Sequence, residues 1–136
     1  MKNQILKSFL TIKKRVHILR DRISIEENIE INAKELEIIS NRFNVSNIEA
    51  LLLAGSFIEL VDGRGCFRLD NLAQRLEVEI LDLLFYQEQF KKLVEKKYLI
   101  EVSRENCRNS RNFVQGIEIL NIEYGITDSF GNEVLN

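Results

Sequence analysis

The stretch LAQRLEVEILDLLFYQEQFKKLVEKKYLIEV, residues 72–102, decides the fold. It reads as a short helix, a tight joint, a longer helix and then a strand. That order is a helix-turn-helix running into the first strand of a wing. In a DNA reader the second helix lies in the major groove and presents Arg, Lys, Asn or Gln to base edges. Here its opening turns carry Glu79, Asp82 and Glu88, with Leu83, Leu84, Phe85 and Tyr86 between them. The helix-turn-helix is therefore expected, and a base-reading surface on it is not.

Upstream, "NIEALLLAGSFIELV" is apolar almost all round and reads as the core helix, 47–61. Ser46 with Glu49, and Asn32 with Glu35, have capping-box spacing and place helices at 47–61 and 33–43. "DGRG" at 62–65 ends the core helix, because glycine accepts the positive φ of a helix stop. "CFRL" at 66–69 follows as a short edge strand, and Asp70 is the expected cap of a helix at 71–76. The long helix of the opening stretch spans 80–97, with Ile80, Leu83, Phe90 and Leu93 on its inward face. Beyond it, a hairpin is expected from strands 98–104 and 112–120 around a polar tip. In the tail, 121–136, two readings stand open. Thr127 or Asp128 caps a last short helix, or the tail is a loose linker.

At the N-terminus, Ile5, Phe9, Ile12, Val16, Leu19 and Ile23 are spaced 4, 3, 4, 3, 4. That is a heptad seam on one amphipathic helix, 3–23. Leu6, Leu10 and Ile18 widen the stripe, which favours packing on a globular surface over a bare coiled coil. The following "SIEENIEIN", 24–32, reads as an acidic loop or short extended segment. The expected organisation is a basic helix with its acidic linker (1–30), a winged-helix domain (31–122) and a tail (123–136). The fold class is mainly α with a small antiparallel sheet.

Charge is distributed unevenly along the 136 residues. The net charge is −2, yet residues 1–23 hold seven basic side chains against Asp21 alone. A basic arm on an acidic body can hold nucleic acid, an acidic partner, or its own body. The apolar fraction, 45%, is ordinary for a globular domain. The longest apolar run is interrupted by Glu59 and falls short of the roughly 20 residues a membrane helix needs. A cytoplasmic protein without membrane contact is expected. Cys66 and Cys107 stand far apart without a C-x-x-C, so both thiols are expected to be reduced.

No catalytic constellation emerges. His17, the sole histidine, sits beside Lys14 and Arg15 and reads as a solvated side chain. Ser56 lies inside the core helix and outside any G-x-S-x-G. The chain contains no G-x-x-x-x-G-K-[ST] phosphate loop. No enzyme activity, cofactor or metal is expected. For binding, Leu81, Phe85 and Tyr86 form a candidate patch for a protein partner; the competing reading buries Phe85 and Tyr86 under the first helix. Lys13, Lys14, Arg15, Arg108 and Arg111 are the candidate contacts for nucleic acid or an acidic partner. The corresponding wing-tip reading, "RENCRNSRN", equally describes any solvated turn.

One resemblance is carried by residues 12–103. "IEALLLAG" and "DGRGCFRLDNLA", with "LVEKKYL" after them, resemble the winged-helix domain that precedes the ATPase module in bacterial AAA-family ATPases of the Bacteroidetes type. These motifs are structural and carry no chemistry. The resemblance implies a recruitment or regulatory domain whose motor lies beyond residue 136. The partners to expect are another protein or that downstream ATPase domain, a second copy docked through residues 3–23, and no more than weak, non-specific nucleic acid. The alternative reading is a DNA-binding winged-helix regulator that uses the wing and the basic first helix.

Overall fold

A computed structural model describes residues 4–18, 21–63, 65–102 and 122–135. The fold is mainly α with a small three-stranded antiparallel sheet. Eight helices occur among the described residues: α1 (Gln4–His17), α2 (Ile25–Ile31), α3 (Ala33–Phe43), α4 (Asn47–Asp62), α5 (Leu69–Leu76), α6 (Ile80–Leu84), α7 (Gln87–Glu95) and α8 (Asp128–Leu135). The strands are β1 (Cys66–Phe67), β2 (Leu99–Val102) and β3 (Glu123–Ile126).

The centre is α4, whose residues 49–59 are all buried. Its N-terminus carries the expected capping box, with the Ser46 hydroxyl accepting from the Glu49 N–H at 3.2 Å and the Glu49 carboxylate accepting from the Ser46 N–H at 3.0 Å. Around it pack α1, α3, α5, α7 and the sheet. α1 lays its seam residues Ile5, Phe9, Ile12 and Val16 into this core, with Phe9 stacked on Phe57 at 4.9 Å. The seam is thus covered by the chain's own helices. The helix is shorter than 3–23; it ends at His17, and Leu19 lies outside the described residues.

Several expectations are corrected. Residues 24–32 are neither a loop nor an extended segment: Ser24 and Glu27 form a reciprocal capping box that starts α2. Asn32 makes no cap bond to α3; its amide donates to the backbone and side-chain oxygens of Asn28 at 2.9 and 2.7 Å. At α5 the cap is reached two residues earlier, where the Arg68 N–H donates to Asn71 Oδ1 at 2.9 Å, and Asp70 lies inside the helix. Helix 80–97 is two helices. Bonds from the Phe85 N–H to the Asp82 carbonyl and from the Tyr86 N–H to the Leu83 carbonyl tighten the end of α6. Tyr86 then leaves helical geometry, at φ −113° and ψ 28°, before α7 begins.

The helix stops also differ from expectation. Gly63 does not take positive φ (−128°); a Cβ there would meet the Glu59 carboxylate at 2.6 Å. The positive-φ residues are instead Asn44, Glu77 and Lys97. At Glu77 and Lys97 the two backbone bonds of a Schellman motif close the helix, among them Val78 N–H to the Ala73 carbonyl and Tyr98 N–H to the Leu93 carbonyl, both 3.0 Å.

In the sheet β3 is central, antiparallel to both β1 and β2, with Phe67 opposite Tyr124 and Ile100 opposite Gly125. The second hairpin strand, expected at 112–120, lies outside the described residues, and β2 is paired by 123–126. Tyr124 stacks on Phe90 at 5.2 Å, and burial pushes its hydroxyl up to about 12. Of the two readings of the tail, the helix is present. Thr127 Oγ1 accepts from the Phe130 N–H at 3.2 Å, and Phe130 packs on Phe43 and Tyr98.

The α4–α5 crossing turns on Gly55. A Cβ at this position would lie 2.6 Å from Leu72 Cδ1 and 3.1 Å from both Leu76 methyls. Helix propensity alone would favour alanine by about 1 kcal/mol. Because Leu72 and Leu76 are fully buried, Gly55→Ala is expected instead to lower stability by ~1–2 kcal/mol through overpacking. A urea melt with a raised midpoint would show that α5 gives way.

Candidate protein-binding surfaces

α6 follows the α5–α6 joint, Glu77–Glu79, and is held by its polar side. Asp82 Oδ2 accepts from the Ile25 N–H at 2.8 Å, an anion placed at the start of α2 where the helix dipole favours it. Arg22 pairs with Glu79 at 3.1 Å. Leu83 points into the core. This anchoring turns the opposite face outward, where Leu81 and Phe85, four residues apart, are 73% and 83% exposed. Side chains at this spacing adjoin on a helix, so they form one apolar knob. Tyr86, the third expected member, is half-buried and packs on the core, while Phe85 stays outside and is not buried under the first helix. Burial raises the Tyr86 hydroxyl above its ordinary value, and the nearby Glu26 and Asp82 carboxylates add to the shift. Tyr86, next to the knob, therefore stands in an acidic neighbourhood, and exposed Glu88 beyond it lies 3.7 Å from Lys91.

The basic candidates are mostly absorbed by the fold. Lys13 Nζ lies 2.6 Å from Asp62. Arg15 donates to Glu35 Oε1 at 2.7 Å and to the Ile31 carbonyl and Asn32 Oδ1, both at 3.0 Å. The Arg15 hydrogen bond holds the Glu35 carboxyl below its ordinary 4.5. The Lys13 hydrogen bond does the same for Asp62. Lys14 is exposed, as is Lys7. Arg108, Arg111 and Cys107 lie outside the described residues. Much of the basic arm holds the chain's own body.

A second surface was not anticipated. Between α1, the C-terminal end of α4 and the end of α8 runs an apolar groove of about 310 Å3. Phe9 and Phe57 line it, and Leu10, Val61 and Leu135 edge it. Past Leu10 and Lys13 it continues into a depression bounded by Lys14, His17 and Ile18. Four large hydrophobic side chains that line the groove or its continuation are exposed: Leu10, Ile18, Val61 and Leu135. The widened stripe of α1 and the all-round apolar α4 were its sequence signals; a helix apolar on every side near its end must leave some of that surface outside.

The polar pocket of about 410 Å3 beside it has its charges paired internally. Arg75 bridges the buried Glu59 at 2.9 Å and Asp62 at 3.7 Å. His17 borders this pocket and is exposed, as expected of a solvated histidine. Ser56 is spent within α4, donating to the Leu52 carbonyl at 2.7 Å. Among the described residues no cluster of His, Cys, Asp or Glu could hold a metal ion, and no single helix is long and apolar enough to cross a membrane. Comparison with protein-family models, curated proteins and solved structures returned no match.

Proposed function

We propose that this chain is a non-catalytic winged-helix module that binds protein through the outward face of α6. We further propose that it acts as the recruitment or regulatory domain in front of an AAA-family ATPase motor. The winged-helix reading is supported by the order helix, strand, three helices, strand, strand from α4 to β3 among the described residues and by the sheet order β1-β3-β2. The ATPase connection rests on the resemblance of residues 12–103 alone.

The observation that carries protein binding is the Leu81–Phe85 knob. An exposed aromatic and aliphatic pair suits the desolvated centre of a protein interface. It suits DNA badly, since a phosphate backbone carries one negative charge per ~1.7 Å of axis and the residues at this end of the helix-turn-helix are Glu77, Glu79 and Asp82. A photoreactive phenylalanine analogue at Phe85, illuminated in the cells that make the protein, should yield adducts with protein. Adducts with DNA, or none at all, would sink the proposal.

A further inference from the structure

The groove and the knob complement each other. The knob is convex and apolar; the chain flanking it carries Glu79, Asp82 and Glu88, Glu26 faces the adjoining Tyr86, and Arg22 and Lys91 pair with Glu79 and Glu88. The groove is concave and apolar. Its margin carries Lys13, Lys14, His17 and Arg75 against Asp62, and Lys7 stands on the same outward face of α1 as Lys14. Lys13 and Arg75 already neutralise Asp62, so Lys7 and Lys14 leave a positive excess where the knob brings a negative one. Among the described residues nothing covers either surface, so neither satisfies the other within one chain.

We infer that the α6 knob of one copy seats in the α1–α4–α8 groove of a second copy, with Phe85 as the anchor. This rests on the protein-binding reading of α6 and names its occupant. The two surfaces lie on different elements, so the contact is heterologous: a bound pair still offers one free knob and one free groove. Assembly is head-to-tail and proceeds to rings or open chains. It differs from a homodimer through the 3–23 seam, because that seam is buried within each copy.

The test is sedimentation velocity on the full chain across a concentration series, with Phe85→Ala removing the knob and Val61→Glu blocking the groove. Both positions are exposed, at 83% and 66%, so both variants should keep the native circular dichroism. Wild type should grow beyond a dimer with concentration. Each variant alone should associate about 10- to 30-fold more weakly, as for loss of an aromatic anchor. Mixed one to one, the two variants should form a complex that stops at two chains, because only one intact knob and one intact groove remain to meet. A wild type that stays monomeric up to its solubility limit, or a mixture that sediments as two separate monomers, would overturn the inference. If the photoreactive label at Phe85 then captures a different protein, the binding role of α6 survives and self-association alone falls. If the label captures nothing, both fall.

Discussion

Leu53→Ala is expected to destabilise the chain by ~2–5 kcal/mol, the range for truncating a fully buried leucine. Leu53 has no exposed surface and sits midway along α4. That helix is packed on α1, α3, α5, α7 and the sheet. The lost methyl groups forfeit transfer energy, and the hole they leave adds a further cost because surrounding elements cannot all collapse toward it. The control is Leu60→Ala on the same helix. Leu60 is exposed and should fall within ~0.5 kcal/mol of wild type. Chemical denaturation of both variants measures the difference. A cost below ~1 kcal/mol at Leu53 would mean that α4 is not the helix around which the others are arranged.

Asn28 should prove comparably sensitive, although it is polar. Its side chain is fully buried. Its Nδ2 donates to the Leu76 carbonyl at 2.8 Å, satisfying an acceptor at the end of α5. Its Oδ1 accepts from Asn32 at 2.7 Å, and Asn32 Oδ1 accepts from Arg15 at 3.0 Å. One amide thus ties α2 to α5 and, through Asn32 and Arg15, to α1. Asn28→Ala strands a carbonyl and an amide donor, each costing ~1–3 kcal/mol when buried unsatisfied. A total of ~2–4 kcal/mol is expected from thermal or urea melts. Asn28→Asp should be worse at neutral pH, because a carboxylate cannot donate to Leu76 and its charge is buried. Acidification should recover part of that loss, since protonation removes the charge and restores a donor. An aspartate variant as stable as wild type at pH 7 would show that the network contributes little.

Where a structural choice is made within a few residues, it was readable in advance. The seam spacing placed α1 on the core, and the Ser46–Glu49 pair started α4. The same logic was available at Ser24–Glu27, whose S-x-x-E spacing announces α2, but the density of acidic residues there resembles a loop. Asn32 shows the converse: its spacing to Glu35 is that of a cap, yet burial beside Asn28 and Arg15 recruits its side chain elsewhere. The break at Phe85–Tyr86 has no glycine or proline to mark it. Local hairpin logic placed the partner of β2 at 112–120, which lies outside the described residues; among those described, β2 pairs with 123–126. The site divides in the same way. Leu81 and Phe85 were legible because the face opposite Leu83 is set by helical geometry. The groove was not, because Leu10, Val61 and Leu135 meet only once α1, α4 and α8 have packed.

The position of β3 at the centre of the sheet has a consequence for biosynthesis. Among the described residues β1 and β2 do not pair with each other; each pairs with β3, which is translated after both. A nascent chain reaching Val102 holds two strands without a ladder, while all the helices but the last are already made. The sheet closes only when Glu123–Ile126 leaves the ribosome, and α8 then brings Phe130 against Phe43 and Tyr98. Closing across such sequence separation is slow compared with helix formation. Until then the edges of β1 and β2 that face β3 stay open.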